Sequence, residues 1–230
     1  MKLFSNKKRP VHLGPYPLER LPRLDGPATA PFGISAALPG TPAEARGSGS
    51  VAAGPAYRLY QEMFDGQRCG EIAPKAPIPD DAVAVADNLK AGLYFLDADM
   101  VGCGPVPDDA WTGDRHDHGF AVVTLVAHSR DHGADQPGAA WIDGTRQFNA
   151  DLRAAELSVI TASYLRNLGF DAVAHTSTSS DVDIARVALQ VGLIELAGDQ
   201  LRAPYLRGGF GLSVVTTDAT LQPDRPLARR

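Results

Sequence analysis

Asp114-Arg115-His116-Asp117-His118-Gly119 gathers two aspartates, two histidines and an arginine within six residues. The Asp-x-His-x-x-Gly spacing can present a histidine as an axial ligand to a cofactor metal. Proteins that use it so place it after a strand and at the opening of a helix. Here it precedes the apolar run at Phe120, so it reads as a polar turn. His128 and His132 are four apart but lack the glutamate of a zinc-protease helix, and Ser129-Arg130-Asp131-His132-Gly133 reads as a loop leaving a strand. Gly208-Gly209-Phe210-Gly211 is followed by a strand pattern, so no helix N-terminus is offered to a phosphate. A tight turn beneath a ligand and a plain hairpin bend both fit it. No Gly-x-Ser-x-Gly elbow occurs. His175 beside Thr176 and Ser177 reads as a strand end entering a loop, not as a base beside a nucleophile.

The elements that must position these groups follow from periodicity. Val85, Leu89, Leu93 and Leu96 recur at helical spacing behind Pro79, Asp80 and Asp81, whose carboxylates suit a helix start, and this predicts a helix over about 80–96. Asp99 to Cys103 is a short apolar run ended by Gly104-Pro105, as in a strand. Phe120 to Val126 is a continuous β-favouring run, expected at the centre of a sheet covered on both faces. Leu157, Ile160, Tyr164 and Leu168 mark one face of a long helix, and Gly169 can end it in the left-handed conformation. A strand over 172–176 follows, then a polar loop. Ser180 with Asp183 then resembles a capping box for a helix carrying Ile184, Val187 and Val191, stopped by Gly192. A last strand spans 212–216. Helices alternating with strands give a layered α/β (α+β) domain.

Eight of the 18 prolines lie in the first 50 residues, where fixed φ and missing donors forbid sustained helix or central strand. Residues 1–55 therefore read as an extended arm laid over a surface and ending in the linker Gly47 to Pro55, residues 56–226 as one domain, and 227–230 as a tail. A net charge of −5 gives no basis for nucleic-acid binding. The basic start (Lys2, Lys7, Lys8, Arg9) runs into Pro10 and polar residues, not an apolar signal core. No apolar run approaches the roughly 20 residues of a membrane span. A cytoplasmic protein without a membrane partner is expected. Cys69 and Cys103 alone make neither a disulfide framework nor a cysteine-only metal site.

The order of short motifs from Glu156 to Pro226 resembles the corrinoid-binding core of reductive dehalogenases. The matching pieces are Tyr164-Leu165-Arg166-Asn167-Leu168-Gly169, Phe170-Asp171-Ala172, Val191-Gly192-Leu193, and Thr217-Asp218 followed by Asp224-Arg225-Pro226. Arg9 to Leu21 looks like the opening segment of the same family, and Lys90 to Val126 is also similar. The resemblance implies a nitroreductase-like layered sheet flanked by helices, and the absence of an export signal is like the cytoplasmic, catabolic branch. In that family a corrinoid cobalt, reduced through iron–sulfur clusters, acts on an organohalide while a tyrosine, helped by a nearby cation, protonates the carbon.

Several family features are missing. The tyrosine, about five helical turns before the Leu-Gly step, should fall near Asp151, and Phe148 to Leu157 contains none. The polar residue after the Gly-Tyr-x-Ala strand falls near Ser177, where asparagine is more usual. The cation should fall near Gly211 or Leu212, the closest available being Arg207. The glycine signature after Gly192 has become Leu193-Ile194, which adds a side chain where backbone would approach the corrin. Nothing matches the cysteine runs that hold iron–sulfur clusters.

Two expectations follow. In the first, this is a catalytically degenerate dehalogenase-like domain, binding no cofactor itself, that acts as a homodimer or packs against an active corrinoid domain. In the second, it is a cobalamin-binding subunit or fragment of an oxidoreductase, fed by a separate iron–sulfur partner. A flavin reductase would need a basic cluster for the flavin phosphate, which the sequence does not supply. Any cofactor pocket would be lined by His175, Thr176, Ser177, Arg202, Tyr205, Arg207 and Phe210, residues that a solvated loop and a sheet edge explain equally well. Tyr205 could replace the lost acid from another position, although nothing in the spacing demands it.

Overall fold

The computed structural model describes residues 21–28, 53–78, 80–129, 135–139, 144–198, 200–206 and 208–228. Among them the order is α1 (Ala53–Asp65), α2 (Ala82–Phe95), β1 (Met100–Pro105), a 3-10 turn (Asp108–Ala110), β2 (Phe120–Ala127), α3 (Arg146–Asn167), β3 (Ala172–His175), α4 (Ile184–Gln190), β4 (Glu195–Ala197), β5 (Gln200–Arg202) and β6 (Phe210–Thr217). Arg207, His132, Pro79 and most of the proline-rich arm lie outside the described residues.

The β-favouring run at Phe120 becomes an inner strand of a mixed α/β fold. The sheet order is β1-β2-β6-β3, with every neighbour antiparallel. Strand alternation sends Ala121, Val123 and Leu125 of β2 to one face with Leu212 and Val214 of β6, and Val122 and Val126 to the other with Val215. The first face is covered by α4 and its flanking turns, with Val187, Ala188, Val191 and Leu193 buried there. The second is covered by α2 and α3 through Leu89, Leu93, Leu157 and Leu165, while α1 packs on α3. A leucine fully buried in this way contributes about 2 kcal/mol, so the two cores hold the layers together.

Local chemistry sets the ends of the elements. Asp81 caps α2, its Oδ1 accepting from the N–H groups of Val83 and Ala84 at 2.9 and 3.2 Å. Gly169 closes α3 at φ +87°, where a Cβ would lie 2.5 Å from Lys75 Cα, so both conformation and space demand glycine. The cap of α4 is Asp183, accepting from Arg186 N–H at 3.0 Å. This corrects the expectation of a cap at Ser180, whose hydroxyl instead bonds Val182 O at 2.6 Å. Helix α1 begins at Ala53, inside the stretch expected to be a linker, with Pro55 in the first turn where its missing donor costs little. Helix α3 starts at Arg146, earlier than its large apolar residues indicate. Its first half is held by Ala150, Ala154 and Ala155, each fully buried.

Residues 22–25 of the arm lie against the far end of the chain, and Ala28 is held by Gln190 and Arg186 of α4. Leu24 N–H bonds Pro226 O at 2.8 Å, Ala228 N–H bonds Pro22 O at 2.9 Å, and Arg23 Nη1 donates to Arg225 O and Gly192 O at 2.6 and 3.1 Å. Leu227, in the segment read as a tail, is buried. No helix among the described residues is long and apolar enough to cross a membrane.

Candidate functional site

Two polar clusters lie at the two ends of β6, the first buried and the second half-buried. At its C-terminal end, His175 on β3 and Thr216 on β6 share the α4 side of the sheet, and the turn before β2 brings in His118. His175 Nδ1 accepts the Asp181 backbone N–H at 3.2 Å and faces Arg68 Nη2 at 3.3 Å. The ring proton therefore sits on Nε2 and is donated to Thr216 Oγ1 at 2.9 Å. The threonine proton then goes to His118 Nδ1 at 2.8 Å, which leaves the His118 proton on Nε2. That nitrogen is 3.2 Å from Asp171 Oδ2 but out of line for a hydrogen bond, so the contact is electrostatic. Burial, reinforced by the Arg68 guanidinium and opposed by Asp181, pushes the His175 imidazole down to about 3, so it stays neutral. His116 stacks on His118 at 5.1 Å, and Trp111 meets the His175 ring edge-on at 6.5 Å.

Arg68 organises the rim of this cluster. Its guanidinium donates to Ala174 O at 2.7 Å, to Ser179 Oγ and to the Asp181 carboxylate. Thr176 and Thr178 donate to the two carboxylate oxygens of Asp65, at the end of α1, both at 2.5 Å. Two hydroxyls of this loop are thus spent on α1. Thr217 Oγ1 donates to Asp171 O at 2.7 Å, and Asp218 Oδ1 accepts from Asp171 N–H at 2.9 Å, so the Thr217-Asp218 pair fixes the turn that aims Asp171 at His118.

At the N-terminal end of β6, Gln147 and Asp151 stand one turn apart on α3. Gln147 Nε2 donates to Asp151 Oδ1 at 2.8 Å and to Phe210 O at 3.3 Å, and its Oε1 accepts from His128 Nε2 at 2.8 Å. Burial raises the Asp151 carboxyl to about 6, with the Gln147 hydrogen bond opposing. The glycines beside it allow close packing inside the protein. A Cβ on Gly209 would meet the His128 ring at 2.3 Å, and one on Gly211 would lie 2.6 Å from the Ala150 carbonyl. The Gly208–Gly211 stretch, read as either a tight turn beneath a ligand or a plain hairpin bend, packs closely on α3 and His128.

The residues singled out for a pocket are dispersed. His175 and Thr176 are buried and internally bonded, whereas Ser177 and Arg202 are exposed and Tyr205, at φ +65°, is 64% exposed. Phe210 is a core residue four positions along β6 from the partner of His175, or about 13 Å away. Among the described residues no hydrogen bond, ion pair or ring contact joins His175, Thr176 or Ser177 to Arg202, Tyr205 or Phe210. The string at 114–119, read as a polar turn, is a loop with a bend at Asp117, and its His118 points inward, 1% exposed at its side chain. Arg68, Asp181 and Thr216 were missed, because each lies in a loop or strand without periodic signal. Asp151 was marked only as the place of a missing tyrosine.

No protein-family model and no curated protein matches this chain significantly. Solved structures do. A reductive dehalogenase described in terms of B12-dependent dehalogenation is 39% identical and superposes with a TM-score of 0.84. The catabolic reductive dehalogenase NpRdhA, N-terminally tagged, is 41% identical with a TM-score of 0.80, as is its complex with 3-bromo-4-hydroxybenzoic acid. Each match takes in 100% of this chain and 32% of the other, so the chain spans about a third of the length of these relatives. With its whole length aligned at 39–41% identity onto the same layered fold, the chain belongs to the reductive dehalogenase family.

Proposed function

We propose that this chain is a catalytically degenerate reductive dehalogenase-like domain with a structural role beside an active corrinoid-binding domain. The observation that carries the reading is the closure of Gly211 on α3. The family's acid and its supporting cation are expected near Asp151 and near Gly211 or Leu212, and those positions are indeed adjacent here. Gly211, however, has its backbone against Ala150 and Asp151 with no room for a methyl group, and Leu212 is buried in the core. No cation can be presented from either position. The Asp151 carboxyl is half-buried and tied to Gln147 by a 2.8 Å hydrogen bond. Ile194, standing where the family has a glycine, is also buried, filling the place where a corrin would need bare backbone. The residues present do not fit the corrinoid, and no chemical step is assigned to it in this chain.

The test is a visible-absorption titration of the purified chain with hydroxocobalamin, followed by gel filtration to score retention. No spectral change and no retention at high excess is the expected result. Retention at micromolar concentration would overturn the reading and favour the cobalamin-binding subunit fed by a separate iron–sulfur partner.

A further inference from the structure

The start of α3 is weak by its own local chemistry. Thr145 at the N-cap makes no side-chain capping bond, and the first turn carries the cation Arg146 and no carboxylate. Both work against a helix N-terminus, which gains from a side-chain oxygen and from negative charge. The residues buried in this half are the small Ala150, Ala154 and Ala155, which remove little apolar surface from water. A single amide, that of Gln147, ties this end to two strands. Its oxygen accepts from His128 Nε2 just past β2 at 2.8 Å, and its nitrogen donates to Phe210 O at the start of β6 at 3.3 Å and to Asp151 Oδ1 at 2.8 Å. His128 in turn donates its backbone N–H to Gly209 O at 2.9 Å, and its ring leaves no room for a Cβ on Gly209. The start of α3, the end of β2 and the glycine stretch are thus fastened through one side chain.

Asp151 is the titratable group on that side chain. Burial raises its carboxyl to about 6 against the opposing Gln147 bond. The charged groups of the surrounding elements are engaged elsewhere. Arg153 of α3 pairs with Glu156 at 3.1 Å and donates to Leu96 O at 3.4 Å, Arg58 of α1 lies 5.4 Å over the Phe148 ring, and Asp99 before β1 accepts from Ala127 N–H at 2.7 Å. Arg146 stands five residues earlier on the same helix, and His128 reaches the carboxyl through Gln147. We infer that the corner formed by the start of α3, the end of β2 and the glycine stretch before β6 is a pH-operated latch, closed while Asp151 keeps its proton and released as it ionises, with Gln147 as the moving part. Opening returns the carboxylate to water and to its ordinary 3.8, so the opening constant rises tenfold or more between about pH 4.5 and pH 7.5, most of it below pH 6. Released, Gly209 loses the imidazole that covers it, and the stretch leading into β6 is freed while the centre of the sheet stays folded.

The experiment is amide hydrogen exchange of the whole chain, read by NMR from pH 4.5 to pH 7.5 and divided by the rate of an unstructured peptide at each pH. The His128 amide reports the latch, and the Val123 amide, in the middle of β2, reports the sheet and certifies that each variant is folded. In the native chain the protection of His128 should fall at least tenfold across this range, with Val123 remaining at least tenfold better protected than His128 throughout. Asp151→Asn should hold His128 near its acid value at every pH, and Gln147→Ala should leave it poorly protected even at pH 4.5. A flat native profile, or a pH dependence that survives in Asp151→Asn, would overturn the latch. Equal protection of His128 and Val123 would also overturn it, because the corner would then open only with the whole domain. A native profile in Gln147→Ala would remove the moving part and the inference with it.

Discussion

At the Thr216 end of β6, every buried polar group except the misaligned His118 Nε2 has a partner, and the central imidazole is neutral. At the Gly211 end, a half-buried carboxyl has an amide for its partner and keeps its proton up to about pH 6. The first arrangement ties two loops and an edge strand to the sheet at little electrostatic cost. The second carries a standing penalty whenever the carboxylate ionises. The difference shows that buried polar residues in one small domain can be cement at one place and a liability a few residues away.

The sharpest way to break the comparison is Arg68→Ala, which leaves the Asp181 carboxylate and the Ala174 carbonyl without their donor. A loss of about 3 kcal/mol in urea unfolding is expected. A loss below about 1 kcal/mol would mean that the network is not cement. Asp151→Asn should act in the opposite direction. The folded-state value of about 6 lies above the 3.8 of the unfolded chain, so native stability falls as pH rises through that window and stays low above it. The variant should therefore be more stable by roughly 2–3 kcal/mol at pH 8, with the gap closing below pH 4. A gap independent of pH would contradict the assignment. Thr216→Val keeps the shape but strands the His175 donor and the His118 acceptor, and about 1–2 kcal/mol should be lost. The same change at the exposed Thr178 should cost less, and equal losses would erase the distinction.

The parts legible in the sequence were those whose signal is local. Leu89 and Leu93 repeat at helical spacing, β2 is an unbroken β-favouring run, and Gly169 and Gly192 sit where a left-handed residue must end a helix. The first half of α3 was hidden because small alanines bury without raising apolarity. The site was harder to read. Asp65 and Thr176 are 111 residues apart, as are Arg68 and Ser179, and no spacing rule joins such pairs. At 114–119, whether His118 faced water or Thr216 depended on β6, almost a hundred residues later. The glycines around the start of β6 fitted a tight turn or a hairpin bend, and their close packing on His128 and α3 came from residues far off in sequence.

Gly192 sits at φ +67° beneath Arg23 and the Arg225 carbonyl, at the seam where residues 22–24 run beside 226–228. The first and last described stretches thus run side by side, so pulling either one away would uncover Leu227 and take the Arg23 donor from the Gly192 carbonyl.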